Sequence, residues 1–241
     1  MMHLPNEWLW LGFLVIDLLL VILVYRAFGR LGLYGYIVLS IIVCNLQVLK
    51  LVEMFGVTTT LGNILYGSIF FCTDLVGEVY GKAEARRAVW LGFVALILMA
   101  LYMQIALWFA PSSVDEAHIH LKALFGFLPR IVGASLVAYV LSQLHDVWAF
   151  HWWRERLKGR WLWWRNNAST WVSQFIDSVV FVLLAFAPMP LLGRVPGFES
   201  WAIILQVAVT TYVIKLIVAV VDTPFLYWGR ALAKRGIVLT G

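Results

Sequence analysis

The sequence predicts an all-α integral membrane protein, a polytopic bundle of about seven (six or seven) transmembrane helices. Of its 241 residues, 63% are hydrophobic and 13% are charged, whereas soluble domains average roughly 45–50% apolar and about 25% charged residues. The mean hydropathy is +0.88. Long apolar segments recur between short polar connections. A bilayer can accommodate this much apolar surface, whereas a single soluble core cannot.

Seven apolar segments are each long enough to cross about 30 Å of hydrocarbon. In chain order they are Trp8–Tyr25, Leu33–Val52, Leu61–Val79, Ala88–Ala110, Leu124–Trp148, Thr170–Leu192 and Trp201–Tyr227. Lys and Arg are absent before Trp8, so we expect the first segment to be a retained helix rather than a cleaved signal. The short connections predict one transmembrane domain over residues 1–241.

The distribution of basic residues predicts the orientation of these spans. Thirteen Lys and Arg residues follow the odd-numbered spans, whereas the opposite side has only Lys122, Arg130 and Arg194. Basic residues accumulate on the cytoplasmic side of membrane proteins. The N-terminus is therefore predicted outside and the C-terminus in the cytoplasm. Acidic residues in the predicted outer loops, Asp115, Glu116 and Glu199, agree with this orientation.

The longest predicted cytoplasmic loop, residues 151–169, reads HWWRERLKGRWLWWRNNAS. Basic residues interleaved with Trp can form a platform for single-stranded nucleic acid. The same pattern is typical of segments that lie against anionic lipid headgroups. Because the loop joins two predicted spans, we favour the lipid bilayer as its partner and expect no nucleic acid. Asn166, Asn167 and Ser169 are expected to cap the sixth helix.

Ionisable residues inside the predicted spans are the main functional signal, because buried charges usually line a cavity or pair with each other. Eight occur: Asp17, Lys50, Asp74, Glu78, Asp146, Asp177, Lys215 and Asp222. Amides accompany them at Asn45, Gln47, Gln143 and Gln174. The chain contains no nucleotide-binding P-loop, HExxH or GxSxG pattern. We therefore expect a protein that is not an enzyme, without a cofactor or a metal site.

Helical spacing brings several of these residues onto shared faces. Asp74 and Glu78 are four residues apart, and Lys215 and Asp222 are seven apart. Ser173 also lies four residues before Asp177, so these faces can converge on one water-accessible chamber. A short repeated pattern, SQxxD, begins at Ser142 in the fifth span and again at Ser173 in the sixth. Internal repeats are common in transporters. Whether the SQxxD pattern reflects a structural repeat stays open.

Each pair also has a structural interpretation. The Asp74 and Glu78 carboxylates could pair with basic residues that follow the third span, and Lys215 and Asp222 could pair with other helices. Asp17 could pair with Lys50 or Lys215. Gly77 and Gly81 are expected to allow close helix packing.

Several stretches resemble the queuosine precursor transporter family, also described as a vitamin-uptake-like family. They are NLQVLK at 45–50, TDLVGEVYGK at 73–82, ARRAVWLGF at 85–93, ASLVAYVLSQLHDV at 134–147, LWWRNNASTWVSQFIDS at 162–178 and DTPF at 222–225, with Tyr212 and Lys215. The resemblance covers about residues 35–230. It leaves the role of the first helix open.

The resemblance implies import of 7-cyano-7-deazaguanine or its aminomethyl relative across a bacterial inner membrane, by a facilitative or proton-coupled carrier. A guanine-like edge offers N–H donors that suit a carboxylate, and an O6 acceptor that suits an amide or Lys. Asp177 or Glu78 is expected to bind the donor edge, and Asn45, Gln174 or Lys215 to bind O6. Gating or coupling residues are expected at Lys50, Asp74 and Asp222. Secondary candidates are Gln143, Asp146, Asn166, Asn167 and Tyr212.

Two other functions compete with a self-sufficient carrier. The chain could be a substrate-binding membrane subunit that depends on a separate ATPase. It could also be a lipid-modifying enzyme with a cluster at His145, Asp146 and His151. Whether the chain forms a homo-oligomer stays open.

Overall fold

The structure is a computed structural model that describes residues 5–126, 128–187 and 200–238. Helices account for most of this part of the chain. They are α1 (Asn6–Gln47), α2 (Asn63–Tyr80), α3 (Lys82–Trp108), α4 (Ala117–Phe125), α5 (Leu128–Arg156), α6 (Leu162–Phe186) and α7 (Trp201–Lys234). Two short antiparallel strands, β1 (Leu51–Met54) and β2 (Val57–Thr60), separate α1 from α2.

Helix α1 is a hairpin of two helical segments rather than one rod. Its backbone leaves the helical region at Gly29, where φ is 57° and ψ is −136°, a conformation that essentially requires glycine. The Tyr36 hydroxyl lies 2.5 Å from the Asp17 carboxylate, although 19 residues of continuous helix would span about 28 Å. The chain therefore reverses at Gly29, consistent with the two predicted spans that flank it.

The β-hairpin corrects the predicted end of the second span. The second helical segment ends at Gln47, and residues 51–60 form the two strands instead of continuing the helix. Lys50 lies in the turn before β1 and is exposed. The hairpin is attached to the start of α1, because Asn6 Nδ2 donates to the Glu53 carbonyl and the Phe55 amide donates to Glu7.

Helix α2 lies at the centre of the bundle. Fifteen of its 18 residues are buried, and it packs against α1, α3, α5 and α7. It ends at Gly81, whose φ of 94° turns the chain directly into α3. A Cβ at Gly77 would lie 2.9 Å from the His151 ring, so this glycine permits close packing of α2 on α5, whereas Gly81 forms a turn.

The fifth and sixth helices differ from their predicted boundaries. The segment 151–169 is not a long loop, because α5 continues to Arg156 and α6 begins at Leu162. Asn166 and Asn167 consequently lie inside α6 and are buried, so they do not cap it. The first residues of the fifth predicted span belong to α4. Helix α7 continues through Pro224 to Lys234, beyond the predicted end.

Five helices are long and apolar enough to cross a membrane: α1, α3, α5, α6 and α7. Large apolar side chains remain exposed along their outer faces, including Leu23, Leu101, Phe175 and Val213, as lipid contact requires. The main core joins α1, α2, α3, α5 and α7. The end of the sixth predicted span, together with Arg194 and Glu199, lies outside the described residues.

Candidate functional site

A cavity opens at the end of the bundle that carries the β-hairpin. It encloses about 590 Å³ of empty space, its open mouth included. Residues from the end of α1, the start of α2, and α5, α6 and α7 form its walls. The lining residues include Cys44, Asn45, Thr60, Asn63, Tyr66, Ser135, Asp177, Ser178, Phe181, Thr211 and Lys215.

Asp177 is the charged centre of this cavity. Lys215 Nζ lies 2.5 Å from one carboxylate oxygen, and the Tyr66 hydroxyl donates to the other. The Ser142 hydroxyl lies 3.3 Å from that same oxygen. Lys215 also sits 4.4 Å from the centre of the Tyr66 ring. Ion pairing and cation–π contact together offset the cost of holding the two charges out of bulk water.

Polar groups with unused hydrogen-bonding capacity remain around this pair. Asn45 Nδ2 donates to the Ile41 carbonyl, which leaves its Oδ1 as an acceptor at the cavity wall. The Ser178 hydroxyl has no partner among the described residues. An ammonium group carries three N–H donors, and Asp177 uses one of those on Lys215. The cavity therefore offers a carboxylate, an amide oxygen, hydroxyls and an ammonium group beside aromatic rings.

A second polar layer lies deeper in the bundle, about two helical turns from the cavity. Asp74 on α2, Asp146 on α5 and Asp222 on α7 are each at most 2% exposed. Asp74, Asp146 and Asp222 lie close enough to one another for their charges to interact. Among the described residues, none of the three forms an ion pair. Thr170 donates to Asp74 and Asn166 donates to Asp222.

Helices α5 and α6 connect the two layers through their SQxxD segments. Ser142 on α5 donates to Asp177 on α6, and Ser173 on α6 faces Asp146 on α5. Each serine thus lies near the aspartate of the other segment, so the repeated SQxxD pattern coincides with a reciprocal arrangement of the two helices.

A third layer, the Glu78 cluster, lies at the opposite end of the bundle from the cavity. Glu78 accepts hydrogen bonds from Arg165 at 2.8 Å and contacts Arg230 at 3.0 Å, with Arg154 at 4.0 Å. Arg165 is fully buried and also stacks on Phe150. This pairing differs from the expected pairing with residues that follow the third span, and it joins α2, α5, α6 and α7.

Asp17 lies apart from all three layers. Its carboxylate accepts hydrogen bonds from Tyr36 and Ser68, rather than pairing with Lys50 or Lys215 as one interpretation held. These contacts join the two segments of α1 to α2. Asp17 therefore stabilises the packing of the two α1 segments against α2.

The structure brings together three of the residues expected to bind substrate: Asn45, Asp177 and Lys215 line the cavity. Glu78 and Gln174 do not line it. Glu78 belongs to its own cluster, and Gln174 is buried with its carbonyl oxygen unpaired among the described residues. Lys50, expected to gate or couple, is exposed outside the bundle.

The secondary candidates divide between the deeper layer and the periphery. Gln143 accepts a hydrogen bond from Thr73, while Asn166 and Asn167 both contact Thr223 beside Asp222. The Tyr212 hydroxyl donates to the Trp171 carbonyl, and its ring packs on Phe175, away from the cavity.

Sequence reasoning did not single out Tyr66, Ser178 or Arg165. A signal for Tyr66 was present, because it lies eight residues before Asp74 and so shares the face that carries Asp74 and Glu78. Ser178 directly follows Asp177. Arg165 was counted only as a cytoplasmic charge, since nothing in its spacing indicates that a fully buried arginine meets Glu78 from another helix.

The apolar helices define a polytopic membrane protein with a polar cavity at one end. A family model described as "Putative vitamin uptake transporter" matches residues 60–229. The chain belongs to this transporter family, which the sequence motifs had indicated. No solved structure matches the chain.

Curated relatives extend this result over most of the chain. A Bacillus subtilis protein named "Probable queuosine precursor transporter" is 43% identical over 223 residues, which cover 92% of this chain and 93% of the relative. The Escherichia coli "Queuosine precursor transporter" is 28% identical over 199 residues, covering 82% and 83%. A Haemophilus influenzae relative is 27% identical over 183 residues, covering 75% and 72%. The chain is a multi-pass protein of the bacterial inner membrane.

Proposed function

We propose that this chain imports 7-deazaguanine precursors of queuosine, such as 7-cyano-7-deazaguanine, and that the cavity around Asp177 binds them. The observation that carries the proposal is the presence of an acceptor, Asp177, and a donor, Lys215, on the wall of one partly aromatic cavity. A guanine-like edge presents two N–H donors beside O6. Asp177 would accept from the donors, while Lys215 would donate to O6 and Asn45 would supply a further acceptor.

The proposed carrier crosses the membrane seven times, as one transmembrane domain with its N-terminus outside. Support comes from the reversal of α1 at Gly29, which makes two segments of one long helix, and from the central position of α2. Arg30, Arg154, Arg165 and Arg230 gather at the end opposite the cavity. Under the positive-inside rule that end is cytoplasmic, so the cavity faces outward.

The test is uptake of radiolabelled 7-cyano-7-deazaguanine into proteoliposomes that contain only this chain. We expect Asp177→Asn to reduce uptake by roughly ten-fold or more, because the buried donors of the substrate would lose their charged acceptor. Asp17→Asn, which alters a buried carboxyl outside the cavity, is the matched control and should retain uptake.

A charge-balanced variant separates binding from folding. Asp177→Asn leaves Lys215 unpaired, and an unpaired buried charge destabilises a protein by itself. Asp177→Asn combined with Lys215→Met removes both charges and should recover thermal stability without recovering uptake. Full uptake by this double variant would contradict the assignment of the pair to substrate binding. Wild-type protein that binds the base but never transports it alone would favour a subunit that needs an ATPase.

A further inference from the structure

We propose that the layer formed by Asp74, Asp146 and Asp222 is a proton-binding site that couples transport to the proton gradient. The inference rests on the proposed function, because it assigns the coupling of that same carrier. It extends the function to a second ligand, a proton, at residues separate from the substrate cavity.

The first step is the charge balance of the layer. Three carboxylates lie together in the middle of the bundle, and among the described residues none contacts a Lys or Arg side chain. The nearest cations are already paired, Lys215 with Asp177 and Arg165 with Glu78. Several unpaired anions cannot share a buried, low-dielectric site, so the layer must hold positive charge from outside the protein.

The second step is the hydrogen bonding of Asp146. Both of its carboxyl oxygens are fully buried and have no partner of normal geometry among the described residues. Three hydroxyls lie near it, but each has only one hydrogen and donates it elsewhere: Ser169 to the Asn166 carbonyl, Ser173 to the Ser169 carbonyl, and Thr170 to Asp74. A proton carried by the Asp74–Asp146 pair would supply the hydrogen that these hydroxyls do not.

The third step concerns the other groups around the layer. No group of three or more His, Cys, Asp or Glu side chains is arranged to hold a metal ion in the ranges 5–126, 128–187 and 200–238. The His145 ring lies 2.9 Å from the Ser173 hydroxyl, which lies near Asp146. Asp17 accepts hydrogen bonds from Tyr36 and Ser68. A monovalent cation is the competing ligand, and the sodium gradient in the experiment below tests it.

The fourth step links the proton to conformational change. The layer lies between the cavity and the Glu78 cluster, so a substrate that moves from one end to the other must pass it. While the layer is dry, the carboxyl pair must keep its proton. When the cytoplasmic end opens, water reaches the pair, the carboxyls ionise, and the proton leaves to the cytoplasm. The contacts between Ser142 and Asp177 and between Ser173 and Asp146 connect this event to the substrate pair.

The experiment uses proteoliposomes with full-length protein, labelled 7-cyano-7-deazaguanine and a trapped pH-sensitive dye. We expect wild-type uptake to accelerate several-fold when the outside is acidic, and addition of substrate to acidify the lumen. Asp146→Asn should lose both responses but retain counterflow exchange, which needs no net proton release. Asp17→Asn is the matched control and should keep both responses. Asp74→Asn provides the same test should Asp146→Asn fail to assemble.

The outcomes separate this inference from the proposed function. Exchange by the wild type without gradient acceleration or lumen acidification would overturn the proton site and leave the carrier function intact. A sodium gradient that replaces the pH gradient would also overturn it, as would normal coupling in both Asp146→Asn and Asp74→Asn. Absence of wild-type binding and exchange would instead overturn the proposed function, and the coupling site with it.

Discussion

The cavity around Asp177 and the cluster around Glu78 both centre on a buried carboxylate paired with a cation, but their surroundings differ. Asp177 pairs with one lysine at the wall of an open cavity, beside groups whose hydrogen-bonding capacity is unused. Glu78 is surrounded by three arginines from three helices and does not line the cavity. The first arrangement leaves capacity for a ligand, whereas the second uses its capacity to hold helices together. Of the two buried ion pairs, the one with unused hydrogen-bonding groups beside it is therefore the candidate binding site.

The largest expected effect concerns Arg165 in the Glu78 cluster. Replacing it with Met leaves Glu78 without its only fully buried partner, and loss of one member of a buried ion pair typically costs about 3–5 kcal/mol. We expect Arg165→Met to lower the thermal unfolding temperature in detergent markedly. Glu78→Gln combined with Arg165→Met should recover most of that loss, because the half-exposed Arg154 and Arg230 can be solvated.

Uptake by the same double variant tests the difference between the Glu78 cluster and the Asp177 cavity. Removing both charges from the Glu78 cluster should preserve measurable uptake, whereas removing both charges from the Asp177 cavity should abolish it. Equal loss of uptake in the two charge-balanced variants, with both proteins folded, would show that the two regions do not differ in the way described.

A smaller effect is expected at the glycines of α2. A Cβ at Gly67 would lie 2.4 Å from Val218 Cγ1, and overpacking of this kind costs roughly 1–3 kcal/mol. Gly67→Ala should therefore lower stability, and Val218→Ala in the same chain should restore much of it. Gly77→Ala should cost less, because its Cβ meets the edge of the His151 ring, which can rotate. A thermal shift larger for Gly77→Ala than for Gly67→Ala would contradict this ranking.

The smallest expected effect is chemical labelling of the two cysteines. Cys44 lines the cavity, whereas Cys72 is buried in the core. A membrane-impermeant methanethiosulfonate reagent added outside should modify Cys44 slowly, and saturating 7-cyano-7-deazaguanine should reduce that rate several-fold. The Cys44→Ser protein should stay unlabelled under the same conditions. Modification of Cys72 at an equal rate would show that the accessible region is larger than the cavity.

Much of the helical architecture follows from the sequence because a span long enough to cross hydrocarbon is visible in composition alone. The β-hairpin was not predicted because Leu51 and Val52 extend the apolar pattern of the second span past Lys50. A four-residue strand of this kind cannot be told from the end of a helix by its pattern alone. Residues 151–169 appeared to be a loop because they are polar and basic. Their helical conformation depends on α5 and α6 packing against each other, which local composition does not encode.

The site was predictable only in part, for a related reason. Asp177, Lys215 and Asn45 were identifiable because polar residues in apolar helices are costly and therefore conspicuous. The distribution of the polar residues of the spans over separate layers was not predictable, because spacing fixes the face of one helix but not the depth at which two helices meet. Lys50 was wrongly placed inside a span because the second span was predicted to continue to Val52, whereas the helix ends at Gln47.

The reversal of α1 at Gly29 has a consequence for how the protein enters the membrane. The bend carries two arginines, Arg26 and Arg30, while no Lys or Arg lies before the first helix or between Gly32 and Gln47. The α1 hairpin therefore carries its positive charge at one tip, the end that the positive-inside rule assigns to the cytoplasm. This charge precedes every α2, α6 and α7 side chain of the cavity in the sequence. If this hairpin were inserted in the opposite orientation, every later helix would also have the opposite orientation.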